Sequence, residues 1–295
     1  MSFQLQLTQL DGYCRVNFPA MACVCEILID TADMALALQL GEQARDETRR
    51  IEQKFSRYRG DNLIARINTA NGEPVTVDEE TAGLIDFAAE LWDASEGRFD
   101  ITSGLLRRVW TFDGSDKLPT QKDIDHLLPR IGWEKVSWQR PQLRMPAGME
   151  IDLGGIGKEY AVDKVFALLQ EEFSGALLVN FGGDLRAYGP RSDGSKWQVG
   201  VEKVSADQPV EMLAMSQGAL TTSGDSQRYL LRDGIRYSHI LDPRSGWPVS
   251  NAPHAVTVVA PTCVQAGMLS TLALMMGAGA EAFLDEQGIQ YWSVR

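Results

Sequence analysis

Apolar positions in this chain follow two spacings, and each change from one to the other marks a new element. Residues 22–29 (ACVCEILI) are apolar and β-branched and predict a strand. Thr31 follows as a candidate helix N-cap. Beyond it Met34, Leu38, Gly41, Ala44, Thr48, Ile51 and Phe55 recur every three or four residues, the period that lines one face of a helix. Arg45, Glu47, Arg49, Arg50 and Glu52 fall largely on other faces, as an ion-paired, solvated surface requires. A second helix is predicted over 79–95, with Leu84, Ile85, Ala88, Leu91 and Trp92 as its apolar stripe and Gly97 near its stop.

Short apolar runs at 176–180, 197–201 and 255–259, bounded by Gly, Asp or Pro, predict strands of a mixed sheet. Helical patterns cover 156–172, 262–276 and 278–287, whereas 111–129 is polar and irregular and reads as a surface excursion. Strands and helices interleave without the regular alternation of a doubly wound sheet, so the expected class is α+β, a mixed β-sheet core with packed helices. With no repeat, low-complexity tract or linker, residues 1–295 are expected to form a single domain, of one lobe or of two closely packed ones with the site between them.

Composition narrows the function. The 295 residues are 44% hydrophobic, enough for a sizeable core, and the formal charge of -12 repels a nucleic-acid backbone. An anionic ligand must therefore be held locally, by backbone N–H groups, a few cations or a metal ion. Cys14, Cys23, Cys25 and Cys263 do not make a disulfide framework; Cys23 and Cys25 would point to opposite faces of a strand, so reduced core thiols are expected. The first twenty residues lack the pattern of an export signal and no run of 18 apolar residues occurs, which predicts a cytoplasmic chain without a membrane anchor.

Candidate chemistry lies in a series of Gly and Asp clusters: residues 97–104 (GRFDITSG), 152–158 (DLGGIGK), 180–184 (NFGGD), 221–225 (TTSGD) and 239–246 (HILDPRSG). Tight turns account for any one of them. Residues 152–158 fit neither the dinucleotide fingerprint nor the P-loop. A helix beginning in this run nevertheless presents free N–H groups, suited to a pyrophosphate, with Lys158 beside it.

Taken in order, FSRYR at 55–59 with Asn68, the 97–104 run with Trp110, IDLGGIGKEYAVD at 151–163, VNFGGD at 179–184 and SHILDPRSG at 238–246 resemble the FAD:protein FMN transferase family, the ApbE-type flavin transferases. The resemblance spans about residues 21–277. It implies FAD as substrate, magnesium dependence, and transfer of FMN to a Ser or Thr hydroxyl of an acceptor protein, within an Asp-Gly-x-Thr type of context, with release of AMP. By the same resemblance His239 is the general base. Met21 and Tyr58 are ring or adenine contacts, Thr102, Ser103 and Gly104 form a backbone-lined wall, Asp152 and Lys158 lie near the phosphates, and Ile240 and Leu241 contribute around the His239 loop.

The chain departs from the family at the metal. In residues 261–271 (PTCVQAGMLST) the family form has Asp where Gly267 stands and Thr at the position of Thr271. Magnesium prefers hard oxygen ligands, usually including a carboxylate. The metal set implied here is the Thr271 hydroxyl and carbonyls at Gly155 and Gly267. Either Asp242, Asp225 or Asp184 supplies the missing acid, or the protein binds flavin without efficient transfer. Two alternatives follow, a non-catalytic FAD-binding or flavin-delivery protein and a metal-dependent FAD pyrophosphatase. If the missing carboxylate is the deficit, Gly267→Asp is expected to strengthen turnover.

Overall fold

The computed structural model describes residues 5–201, 211–225 and 228–295. Residues 1–4, part of the stretch searched for an export signal, lie outside the described residues. The chain opens with β1 (Gln6–Leu10), β2 (Tyr13–Ala20), β3 (Cys23–Ile29), α1 (Met34–Phe55), α2 (Leu63–Asn68), β4 (Val75–Thr76) and α3 (Glu79–Ala94). A 3-10 helix (Ile101–Arg108), α4 (Gln121–Leu127), β5 (Ser137–Gln139) and β6 (Gln142–Arg144) lead to α5 (Gly157–Glu172). Then come β7 (Leu177–Phe181), β8 (Asp184–Tyr188), β9 (Trp197–Val201), β10 (Glu211–Met215), β11 (Gly218–Gly224), β12 (Tyr229–Arg232) and β13 (Ile235–Ser238). β14 (Ala255–Ala260), α6 (Cys263–Met275), α7 (Ala280–Glu286) and β15 (Gln290–Val294) complete it.

Eight strands form the main sheet in the order β1-β2-β3-β7-β8-β11-β14-β15. The α+β class holds, but every neighbouring pair is antiparallel where a mixed sheet was expected. The β7–β8 connection shows one physical reason: Gly182 and Gly183 both take positive φ, which turns the chain straight back on itself. The predicted strand at 197–201 forms, yet it pairs with β10 in a separate ribbon. Trp197, Val199 and Val201 pack with Leu178, Leu185 and Leu220, so the ribbon covers one sheet face. Leu177, Val179 and Phe181, alternating with Leu178, face the helical core on the other side.

On that side α1 buries Ala37, Leu40, Gly41, Ala44, Thr48, Ile51 and Phe55. The stripe begins at Ala37 and Leu40; Met34 and Leu38, expected inside, are about two-fifths exposed. The N-cap is Asp33 rather than Thr31, with Asp33 Oδ1 accepting from the Ala35 and Leu36 amides at 2.9 and 3.1 Å. Asp33 is thus placed to satisfy two orphan donors of the first turn, while Thr31 accepts only from the Asp33 amide. The segment 111–129 is not wholly irregular. Thr120 and Asp123 form a capping box for α4, whose Ile124 and Leu127 join Leu105, Leu106 and Trp110 in a second core.

The helix predicted over 262–276 is α6, capped by Thr262. Its first two amides, Cys263 and Val264, also donate to the Asp163 carboxylate of α5 at 3.0 and 2.9 Å, and Arg186 of β8 pairs with the same group at 2.8 Å. All four cysteines are free thiols, three of them buried; Cys23 and Cys25, expected on opposite faces, share one, because residues two apart on a strand point the same way, and both thiols donate to the Ala20 carbonyl, at 3.4 and 3.7 Å. Among the described residues no helix is long and apolar enough to cross a membrane.

Gly41 permits the closest approach of α1 to the sheet, since a Cβ there would lie 2.5 Å from Val16 Cγ1. Helix propensity favours Gly41→Ala by about 1 kcal/mol, but Val16 is fully buried and stiff. Overpacking, typically about 1–3 kcal/mol, wins, and urea unfolding of Gly41→Ala is expected to show a lowered midpoint with an unchanged slope.

Candidate active site

Asp152 is the hub of the first group of predicted residues. Asn68, at the end of α2, holds its neighbour by donating to the Ile151 carbonyl at 3.0 Å and accepting from the Ile151 amide at 2.8 Å. Asp152 Oδ1 accepts from the Gly154 amide at 2.9 Å, and Oδ2 pairs with the Arg57 guanidinium. Arg57 in turn donates to the Tyr58 hydroxyl at 2.8 Å and lies over its ring, leaving that ring largely exposed. Gly104 approaches from the 3-10 helix, where a Cβ would meet the Asp152 Cβ at 2.5 Å. Tyr58, Gly104 and Asp152 are therefore brought together, with Ser103 beside them in sequence. Thr102 is not presented with them as a side chain: it is fully buried, donates to Asp100 at 2.6 Å and accepts from the Gly132 amide at 2.8 Å.

Met21 and Lys158 are each held by a partner of their own. Met21 and Ala22 turn β2 into β3 with φ of 51° and 60°, a left-handed pair that L side chains seldom adopt. The Glu52 carboxylate of α1 accepts from the Met21 amide at 2.8 Å and holds this turn. Lys158, in the first turn of α5, pairs with the buried Asp184 at 2.6 Å. Burial pulls its ammonium down, but Asp184 outweighs that and keeps it above its ordinary value.

The second group is the His239 loop. Nδ1 of His239 lies 3.2 Å from the Arg228 carbonyl, an acceptor, so the proton sits on Nδ1 and the Nε2 lone pair is left available. Burial, and then the Arg228 cation, push the imidazole below its ordinary value and keep it neutral at pH 7. Phe112 meets the ring edge to face, Trp110 stacks on Phe112, and Trp110 Nε1 donates to the Gly246 carbonyl at 2.8 Å. Ile240 packs against the β14–α6 core, whereas Leu241 packs against the Trp110 cluster.

Of the metal candidates, Gly267 and Thr271 lie on α6, whereas Gly155 lies in the loop before α5, where a Cβ would meet Phe99 Cε2 at 3.2 Å. Gly267 and Thr271 are one turn apart, and Thr271 Oγ1 lies 3.1 Å from Ser223 Oγ of β11. The three acids expected to compensate at Gly267 are all engaged: Asp184 with Lys158, Asp225 with Arg236 and His254, Asp242 with Arg244. Sequence reasoning missed a fourth. A Cβ at Gly267 would lie 2.5 Å from Glu159 Cγ and 2.9 Å from its Oε1, so the Glu159 side chain fills the volume a residue 267 side chain would need. Glu159 Oε2 is buried with no hydrogen-bond partner. Burial, then the Asp184 charge, push Glu159 up to about 8.

Of these donors the Glu159 carboxyl group and the Thr271 hydroxyl suit a magnesium ion, to be completed by phosphate oxygens and water, whereas the Gly267 carbonyl lies inside α6 and accepts from Ser270 Oγ at 3.0 Å. Among the described residues there is no group of three His, Cys, Asp or Glu that would make an all-protein metal cage. Two surface grooves of about 530 and 500 Å³, beside α1 and between α3 and α5, contain none of the predicted flavin or metal residues.

The family model described as "ApbE family" matches residues 21–292. The chain belongs to the ApbE family. It is 32% identical over 234 residues to the FAD:protein FMN transferase of Vibrio cholerae, covering 77% of this chain and 70% of that one. It is 28% identical over 257 residues to the Escherichia coli K12 enzyme of the same name, covering 83% and 73%. The crystal structure of the ApbE protein of Thermotoga maritima superposes with a TM-score of 0.85 at 29% identity, over 95% of this chain and 94% of that one. The flavin transferase ApbE of Vibrio cholerae gives 0.83 at 28% identity, over 98% and 94%. The ordered ApbE blocks read in the sequence thus lie on one continuous match. Glu159 stands inside one of those blocks, but it carries no sign in the sequence that its partner is Gly267, 108 positions away.

Trp110 supports the His239 loop through a donor as well as a ring. Trp110→Phe keeps the ring and removes the bond to Gly246, which is expected to cost about 1–3 kcal/mol in chemical denaturation and to speed amide exchange in residues 238–247.

Proposed function

We propose that this chain transfers FMN from FAD to a Ser or Thr hydroxyl of an acceptor protein and releases AMP. The similarity to FAD:protein FMN transferases along most of the chain carries this reading. The Glu159 carboxyl group beside Gly267 places an acid where the flavin-binding alternative assumed none, which supports this reading.

In this reading the acceptor hydroxyl oxygen attacks the FMN-side phosphorus of FAD, a phosphoester bond forms, and the bond to the AMP oxygen breaks. His239 Nε2 takes the hydroxyl proton, because its lone pair is free and its ring is neutral. Asp152, fixed by Arg57 and by the Gly154 amide, shapes the loop that leads into α5, and Gly104 leaves room for it. Lys158 supplies a charge at the start of α5, where free N–H groups already favour phosphate. Met21, Tyr58, Ser103, Ile240 and Leu241 would line the flavin and adenine, with Thr102 bracing that wall from behind. Magnesium, held by Thr271 and the Gly155 carbonyl among others, would neutralise charge on the pyrophosphate.

Incubation with FAD, magnesium and an acceptor carrying the Asp-Gly-x-Thr context is expected to add one FMN mass to the acceptor, read by intact-mass analysis with AMP release. Free FMN without acceptor labelling would indicate hydrolysis instead. His239→Ala is expected to lose transfer by at least about 100-fold while FAD affinity stays. The base must be unprotonated, so a lowered imidazole pKa extends activity downward in pH. The acid limb of kcat/KM is expected below the ordinary imidazole value of about 6.5, and Arg228→Gln is expected to move it up. A limb in Arg228→Gln identical to that of wild type would remove the electrostatic part of this account.

A further inference from the structure

Three carboxylates face the start of α5 and α6: Asp184, Asp163 and Glu159. Asp184 is neutralised by Lys158, and Asp163 by Arg186 together with two α6 amides. Glu159 is left with a buried oxygen that nothing among the described residues satisfies. An unpaired buried carboxylate oxygen is costly, and burial of such groups is ordinarily accompanied by a donor or a cation. Lys158, the cation whose charge acts on Glu159, is already committed to Asp184, as Arg186 is to Asp163.

The position of Glu159 is equally specific. It sits one turn before Asp163 on α5, and its stem lies against Gly267, one turn after Cys263 on α6. Since Asp163 meets Cys263, the same helix faces that join at the α6 N-cap carry Glu159 to Gly267. Thr271, a turn further along α6, offers a hydroxyl that contacts Ser223. Gly267 is therefore less a lost ligand than the space that admits one from the neighbouring helix.

We propose that Glu159 supplies, from the first turn of α5, the carboxylate ligand for the divalent cation of this site, in place of a side chain at position 267. The inference rests on the FMN-transfer reading, which calls for magnesium on the FAD pyrophosphate. It also reverses one expectation: Gly267→Asp alone drives its Cβ into Glu159 and is expected to weaken the site, not strengthen it.

The test is binding of Mn2+, followed by electron paramagnetic resonance, and of Mg2+, followed by calorimetry, to the full chain with FAD present. Glu159→Gln keeps the shape and removes the charge, and is expected to weaken cation binding by at least about tenfold. Far-UV circular dichroism verifies that the variant is folded. The double change Glu159→Gly with Gly267→Asp moves the carboxylate to α6 and is expected to recover most of the affinity that Glu159→Gln loses. Wild-type cation affinity in Glu159→Gln would overturn the assignment and make Glu159 a neutral buried acid, for which Gln is an adequate substitute. If wild type then transfers FMN only with magnesium, the functional reading stands without this ligand. If wild type binds neither cation and transfers FMN in the presence of a chelator, both the ligand and the magnesium dependence fall.

Discussion

The antiparallel interlock of α5 and α6 is the contact on which the site is built. Asp163 and Glu159 are four residues apart and share one face of α5; Cys263 and Gly267 are four apart and share one face of α6. As the numbering rises on one helix, it falls on the other. Asp163 fixes the register by accepting two amides that α6 leaves unbonded, and Arg186 ties the same carboxylate to β8. A shift of one turn would leave those amides without a carboxylate and bring a side chain against Glu159. The glycine-rich loop before α5 inherits its position from this lock.

The His239 loop is held by other means. Its supports are aromatic: Phe112 meets His239, Trp110 meets the loop's own Trp247, and Gly246 presses so close to Ile124 that a Cβ would lie 2.4 Å from its Cγ2. The two halves of the site meet through β11, where Ser223 touches Thr271 and Asp225, two residues on, binds Arg236 and His254. β11 thus touches the helical frame through Ser223, and Asp225 just beyond it touches the β12–β13 hairpin that leads into the aromatic loop. That arrangement suits chemistry in which a phosphate and a base must be held at a fixed separation.

Much of the architecture was legible because the long elements obey a single period. The helices over 79–95 and 262–276 lie within a residue or so of their expected ends, and the strand at 255–259 lengthens by one residue. Errors fell where a tertiary partner decided the outcome. Leu38 has the right spacing for the α1 stripe, yet the sheet meets the helix through Ala37, Leu40 and Gly41. Strand 197–201 alternates as any one-sided strand does, and nothing local says that it lies across the sheet instead of within it. Pairing sense was illegible for the same reason, except at the Gly182-Gly183 turn between β7 and β8. The site was readable as an ordered set of motifs, including the His239 block, but not as a set of contacts: Thr102 sits in a motif and points into the core. Glu159 carried no local mark of its partner on α6.

The shared volume of Glu159 and Gly267 has a consequence for how such a chain can change. Each residue sets the size its partner can have, so the two positions behave as one locus with two compatible states, a long acid opposite no side chain, or a shorter acid opposite a small residue. A single substitution starting from either state leads to a chain with two crowded carboxylates or with none. Interpreted singly, each position would look like a defect. Considered as a pair, they are alternative placements of one carboxyl group, and a survey of variants that scored each position independently would mistake a relocated acid for a lost one.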